Sequence, residues 1–585
     1  MGATKELANT KLNTGLAANK DLERCWRVVL LLLFLGAAAV RLIDIGQSPK
    51  AFSWHEIDTA AIARNYSREG MQPWHPRIDW RGDGPGYVEM EFPICPWCIA
   101  WAYKLFGLHD WIGRLFSLAL SLVTGWIFFK LARDLLPSAS AIAATAFFLF
   151  SPTAVQIAHY IQPEAWMLCC YVGAVYTFLL WLEKGTWSLF WLAAGSTALA
   201  ILTKMTAAHI GFLFAALVLQ QYGWRRTLGD YRCWLFAIVA LAPGLVWSLY
   251  ARHLWLEYGN SLGISNEYHW LTKDPSTDWM FVTQIARIEI RYVWAPAALL
   301  LWIAAFAARR AQRATRLAIW WLAAAWLFYV TAARTTSATW SIYYHAFSVP
   351  PAALLFGAGL EALSAHLKSV RAATLVALTG AILLALALAR GLPPVSRFPS
   401  TGMKWAVVLG GAALVSLVTL FACCLRFPDA EPNPFARGVP SWLMAGVAVA
   451  GVAGSFFYHS RAILDEVGSR VNPRLERCAQ DLARSPWEPG WIVTSGLGTT
   501  GDDGLAVAVN APYLFYWLDR KGFSLPADQQ SLDRLASLAS RGARYFVAEK
   551  QFLNQAPGFE AQLRKRLPVV YECDRLVAFS LQGLT

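Results

Sequence analysis

The stretch WRVVLLLLFLGAAAVRLI, residues 26–43, and the segment WHEIDTAAIARNYSREGMQPWHPRIDWRGDGPGYVEME, residues 54–91, decide what kind of chain this is. The first is apolar over roughly the 20 residues that a helix needs to cross a hydrocarbon core. The second sets Glu56, Asp58, Asp79, Asp83, Glu89 and Glu91 among tryptophans, prolines and glycines, beside the bilayer, where a connector needs only a few polar residues. Carboxylates this dense next to a membrane call for a function.

Composition extends the first reading to most of the chain. The 585 residues are 56% hydrophobic and only 15% charged, whereas a soluble globular chain is usually about a quarter charged. Long apolar runs, rather than short alternating ones, make helices the spanning elements and exclude a barrel. The spans are expected at 26–43, 111–129, 139–158, 165–182, 188–202, 206–221, 233–251, 293–308, 317–333, 342–362, 373–390, 405–425 and 440–457, about 13 in all by the length rule. The net charge of +13 does not form a nucleic-acid-binding stripe. Its Lys and Arg fall in short clusters at alternate ends of the spans, among them Lys130, Arg133, Lys184, Arg225, Arg226 and Arg309, which is the positive-inside bias.

That bias fixes the expected sidedness. Residues 1–24 form a cytoplasmic tail, 25–457 the transmembrane domain with its first outer loop at 45–110, and 458–585 a soluble domain on the outer, periplasmic face. The last segment has β-like runs (WIVTS, RYFVAE, LVAFSL) between helical patterns, so it reads as a small α/β domain. The fold class is therefore an all-α polytopic membrane protein with a small C-terminal α/β domain.

Several residues suit chemistry. In WHEIDTAAIARNY, Glu56 and Asp58 stand just past the first span, and helical spacing sends them in different directions. Lys204 interrupts the apolar run ALAILTKMTAAHIGFLF. It is either a snorkelling lysine or a point-charge partner for a lipid phosphate. Glu164 follows Pro163 and suits the first turn of a helix as well as a site, while Arg334 and Tyr343, Tyr344 and His345 open a span from the same side, as belt anchors or substrate contacts. Cys95 and Cys98 form CPWC with no thioredoxin-like pattern around them, which excludes redox catalysis. Cys478 and Cys573 suit a structural disulfide in an oxidising compartment.

The motifs WHEIDTAAIARNY, EFPICPWCIAWAYKLFGLHDWIGRLFS, IQPEAWM, LTK and YYHAFSVPPAALL, in that order, resemble bacterial glycosyltransferases of the GT-C superfamily. The branch is the one similar to protein O-mannosyltransferases, the lipid A aminoarabinose transferase and rhizobial lipopolysaccharide galacturonic-acid transferases. The resemblance covers roughly residues 25–390 and implies transfer of a sugar, with inversion, from a polyprenyl-phosphate donor to a lipid, glycan or protein acceptor. It also implies an essential acid in the first loop. Many relatives carry an Asp-Glu pair where this chain reads His55-Glu56, so Asp58 is favoured as the base, with Glu56 close behind. Lys204 and Arg334 are then the expected phosphate partners, and His55, Asp79, Glu91, Glu164, Tyr343, Tyr344 and His345 the expected substrate contacts. Some relatives use a divalent metal, for which Glu56, His55 and Glu91 are the candidate ligands. The competing reading is a transporter or flippase of lipid-linked sugars, for which broken helices with charges at the midplane are expected.

Overall fold

The computed structural model describes residues 26–43, 45–49, 54–263, 275–294, 312–366, 473–496, 498–500, 506–509, 512–526, 529–553 and 558–584. The expected tail 1–24, the spans at 373–390, 405–425 and 440–457, and most of that at 293–308 lie outside the described residues.

The helices run α1 (26–42), α2 (Trp54–Glu69), α3 (Ile94–Phe106), α4 (Asp110–Leu135), α5 (Ser138–Phe150), α6 (Pro152–His159), α7 (Glu164–Lys184) and α8 (Trp187–Thr203). After a 3-10 turn at Met205–His209 come α9 (Ile210–Gly229), α10 (Tyr231–Tyr258), α11 (Pro275–Ile288), α12 (Gln312–Thr331), the short α13 (Ala333–Thr336) and, beyond a 3-10 segment at Thr339–Ser348, α14 (Val349–His366). Among the described residues, five helices are long and apolar enough to cross a membrane, or six if one bent pair counts as a span. That pair is α5 and α6, which meet at 51° where a single span is expected at 139–158.

The bend has a local cause and a distant compensation. Pro152 has no N–H to continue the helical ladder from α5. The stranded carbonyls then need another donor, since an unpaired polar group inside a membrane costs several kcal/mol. Arg41, fully buried on α1, supplies one to the Leu149 carbonyl at 2.7 Å and reaches across the break to that of Ala154 in α6 at 3.4 Å, while its Nε holds Ser121 Oγ at 3.0 Å. Elsewhere the bundle closes through small residues. A Cβ at Gly357 on α14 would stand 2.7 Å from the Ser140 carbonyl oxygen on α5, so only glycine permits that approach.

The C-terminal part is an α/β domain. Its strands are β1 (Trp491–Gly496), β2 (Gly498–Thr500), β3 (Ala506–Val509), β4 (Gly522–Pro526), β5 (Ala543–Glu549), β6 (Val569–Glu572) and β7 (Leu576–Ser580). Five of them form a sheet of order β4-β1-β5-β7-β6 in which β1 runs parallel to β4 and β5, and β7 runs antiparallel to β5 and β6. One face, with Val493, Phe546, Ala548, Val577 and Phe579, packs on the helices Leu532–Ser540 and Phe559–Arg566. The other face, with Ile492, Tyr545, Val547, Leu576 and Ala578, packs on the helices Pro473–Arg484 and Pro512–Leu518. The Cys478–Cys573 disulfide ties the first of these two helices to the end of β6.

That second core is continuous with the first loop. Ile57, Ile62, Tyr66, Ile78, Trp80, Val88 and Met90 belong to the same buried cluster as the sheet residues. The main chain joins as well, with Gly82 N donating to the Gly522 carbonyl at 2.6 Å and Gly522 N to that of Asp79 at 3.1 Å. Residues 79–82 are thereby tied to the start of β4. Gly522 is required there, because a Cβ would stand 1.9 Å from the Ile492 carbonyl oxygen.

Candidate active site

Helix α2 carries the first-loop acids, and its pitch separates them. With about 100° per residue, Glu56 lies about 100° to one side of His55 and Asp58 about 60° to the other. Each side chain therefore meets a different neighbour.

Glu56 faces α4. Its Oε1 accepts from Arg114 Nη2 at 3.0 Å and from the Ile161 backbone N–H at 3.2 Å, and both charged groups are buried. The Arg114 guanidinium also donates to the carbonyls of His159 and Ile45 at 3.0 and 3.2 Å. Glu56 thus anchors α2 to the bundle. Reading the sequence missed Arg114, although an arginine in the first turn of an apolar span, WIGRLFS, is a costly placement that marks a partner.

Asp58 faces the remainder of the loop. Trp80 Nε1 donates to its Oδ1 at 3.2 Å. Burial pushes its carboxyl up to about 8, against the Trp80 hydrogen bond and with help from nearby Asp79. Asp79 is itself occupied, by Arg64 Nη2 at 2.6 Å and Asn65 Nδ2 at 2.8 Å. It braces the loop rather than facing the site where substrate contact was expected.

His55 faces α7 and α8. Its Nε2 lies 3.9 Å from Glu164 Oε1, and its ring centroid 6.2 Å from that of Tyr343. Glu164, at the start of α7 after Pro163, also takes the ammonium of Lys204, while its Oε2 has no hydrogen-bond partner among the described residues. Lys204 sits where α8 ends in extended backbone before the 3-10 turn. Its ammonium also lies 3.7 Å from Glu91 Oε1 and over the rings of Tyr343 and Tyr344, at 5.0 and 4.7 Å. The structure thus brings together His55, Glu91, Glu164, Lys204, Tyr343 and Tyr344, from five separate stretches of chain. Burial holds the His55 imidazole below its usual value, with Glu164 and Glu91 opposing and Lys204 assisting.

Two further expected residues stand on neighbouring segments. His345 is fully buried between the Glu289 carboxylate and the Thr336 carbonyl, 2.8 Å from its Nε2, so it pins the segment that carries Tyr343 and Tyr344. Arg334 is carried on α13, which packs against α11, α12 and the 339–348 segment that holds Tyr343 and Tyr344. The proposed metal ligands do not make a set. Arg114 holds Glu56, and the Lys204 ammonium already occupies the place between Glu91 and Glu164 that a cation would take. Among the described residues, the one close group of three potential ligands is Cys478, Cys573 and Asp574, whose two thiols are joined to each other. Cys95 and Cys98 are free thiols, the first buried.

Comparison with known proteins bears on this arrangement. The chain superposes on the crystal structure of ArnT from Cupriavidus metallidurans bound to undecaprenyl phosphate with a TM-score of 0.60, over 96% of this chain and 99% of that one, at 18% identity. The apo crystal structure of the same protein gives 0.59. The chain has the GT-C fold. Within it, residues 85–248 match the family described as dolichyl-phosphate-mannose-protein mannosyltransferase. That segment of the GT-C chain contains Glu91, Arg114, Glu164 and Lys204. An uncharacterized protein of Aquifex aeolicus is 29% identical over 133 residues, which span 22% of this chain and 26% of that protein.

Proposed function

We propose that this protein is a membrane glycosyltransferase that takes a sugar from a polyprenyl-phosphate donor and places it, with inversion, on a lipid, glycan or protein acceptor at the periplasmic face of the inner membrane. The observation that carries this reading is Lys204. A buried ammonium at a helix break, flanked by two carboxylates and two tyrosine rings, stands in a fold whose relative ArnT was crystallised with undecaprenyl phosphate.

The chemistry needs two things of the site. The leaving group is a lipid phosphate, whose growing negative charge a fixed cation stabilises. Lys204 is the cation at hand, and an incoming phosphate competes with Glu164 and Glu91 for it. The acceptor hydroxyl loses a proton as its oxygen attacks the anomeric carbon, so a base must stand beside that cation.

The reading is tested in a strain lacking the protein. Mass spectrometry of its envelope glycans and lipid-linked sugars is expected to show a lost sugar increment together with accumulated lipid-linked donor. Restoring the protein as Lys204→Ala is expected to raise the apparent Michaelis constant for the lipid donor at least tenfold while that for the acceptor changes little. An unchanged envelope, or equal effects on both substrates, would count against the assignment.

A further inference from the structure

On the reading of the site as a glycosyltransferase, we infer that the proton acceptor is the imidazole of His55 and not a first-loop carboxylate. The three candidates on α2 differ in what surrounds them. Glu56 is consumed by Arg114 and the Ile161 N–H, and moving it would release α2 from α4. Asp58 stands with Trp80 and Asp79, and Lys204 is not among the charges that act on it. His55 alone of the three shares its surroundings with Lys204, through Glu164, Glu91 and Tyr343.

Nucleophile and leaving group meet at one carbon, from opposite sides in an inverting displacement, so the base and the cation that holds the phosphate must both be within reach of that one carbon. Lys204 and His55 Nε2 both approach the same oxygen, Glu164 Oε1, and so fulfil this condition. The step balances within the site. The acceptor hydroxyl gives its proton to His55 Nε2 as its oxygen bonds to the anomeric carbon. The bond from that carbon to the phosphate oxygen breaks, and its electron pair leaves on the lipid phosphate, against Lys204. The positive charge that appears on the ring faces Glu164, a positioning residue whose carboxylate loses part of Lys204 to the phosphate in the same step. Burial lowers the pKa of the ring and so favours its neutral form, the form able to accept a proton. The Tyr343 ring lies beside the imidazole, and the two neighbouring carboxylates, Glu164 and Glu91, favour its charged form.

The test uses full-length protein in nanodiscs, with lipid-linked sugars extracted from the source strain as donor and envelope of the deletion strain as acceptor. His55→Ala is expected to lower kcat at least a hundredfold with the donor Michaelis constant within about threefold, and added imidazole to restore at least tenfold. Glu164→Gln is expected to move the acidic limb of the pH–rate profile to lower pH, since it removes a carboxylate that raises the His55 pKa. Asp58→Asn is expected to keep at least a tenth of the rate. Binding of undecaprenyl phosphate to His55→Gln, matching wild type, reports that the site still folds. If wild type transfers sugar and His55→Ala keeps more than a tenth of kcat, or gains nothing from imidazole while Asp58→Asn is inactive, His55 is not the base and the transferase reading stands. If wild type neither transfers sugar nor binds undecaprenyl phosphate, both fall.

Discussion

His55, Glu56 and Asp58 share one turn of helix, and each is polar for a different reason. Glu56 is paired with Arg114, His55 stands beside charges with its imidazole held below its usual value by burial, and Asp58 is buried against Trp80 with a carboxyl pushed up to about 8. The last of these predicts a pH dependence of stability. The folded value lies above the ordinary carboxyl value of 3.8, so the contribution of Asp58 to stability is full below about pH 4 and is lost as the pH rises through about 8. Asp58→Asn removes this slope. Melting of wild type and variant in the same detergent is expected to show a gain for the variant that is larger at pH 8 than at pH 5. A difference between the two that does not change with pH would mean that Asp58 is ionised in the folded protein throughout.

At the scale of elements, the helix Pro473–Arg484 and the end of β6 are joined by a disulfide that closes 95 residues of chain. In the chain-entropy account a closure of that length is worth about 4 to 5 kcal/mol, by restricting the unfolded state. Cys573→Ser, or reduction, is therefore expected to make the soluble domain fall to limited proteolysis well before the membrane bundle does. Equal protease resistance with and without reductant would show that the domain is held by its contacts alone. Those contacts are substantial, because the same helix buries Leu475, Cys478, Ala479 and Leu482 against the core that includes α2. The bent pair α5 and α6 teaches the complementary lesson. A proline in an apolar run was visible in the sequence, but the donor that makes the break tolerable, Arg41, lies more than a hundred residues earlier.

At the scale of the molecule, the C-terminal domain and the first loop share one core, and α2 is held between that domain and the bundle. Arg64 is central to this clamp. Its guanidinium reaches Asp79 at 2.6 Å, Asp519 at 3.0 Å and the Tyr516 carbonyl at 3.0 Å, and lies over the Tyr516 ring at 4.5 Å. Buried contacts of this kind are costly to break by removing one partner, at about 3–5 kcal/mol. The pair between Arg541 and Asp83 crosses the same interface at its exposed rim, where such pairs contribute about 0–1 kcal/mol. Arg64→Ala is accordingly expected to lower both the melting temperature and sugar transfer, and Arg541→Ala to leave both nearly unchanged. Similar effects from the two would mean that the interface is sensed as overall charge and not through α2.

The sequence by itself determined that this chain spans a membrane by apolar helices, that its C-terminal part is α/β, and that acids gather in the first loop. These follow from composition and periodicity, which are properties of neighbours along the chain. It also marked His55, Glu91, Glu164, Lys204, Tyr343 and Tyr344 as unusual, since ionisable and polar groups next to apolar runs stand out locally. What only the tertiary structure decided is which of the marked residues face one another. Glu56 is claimed by Arg114, Asp79 by Arg64 and Asn65, and His345 by Glu289. In each case the burial of one charge requires a partner from another element, and nothing in the spacing along the chain says where that partner lies. The first loop that opened the reading is therefore two things at once: a brace that joins the soluble domain to the bundle, and, at His55, one wall of the site around Lys204.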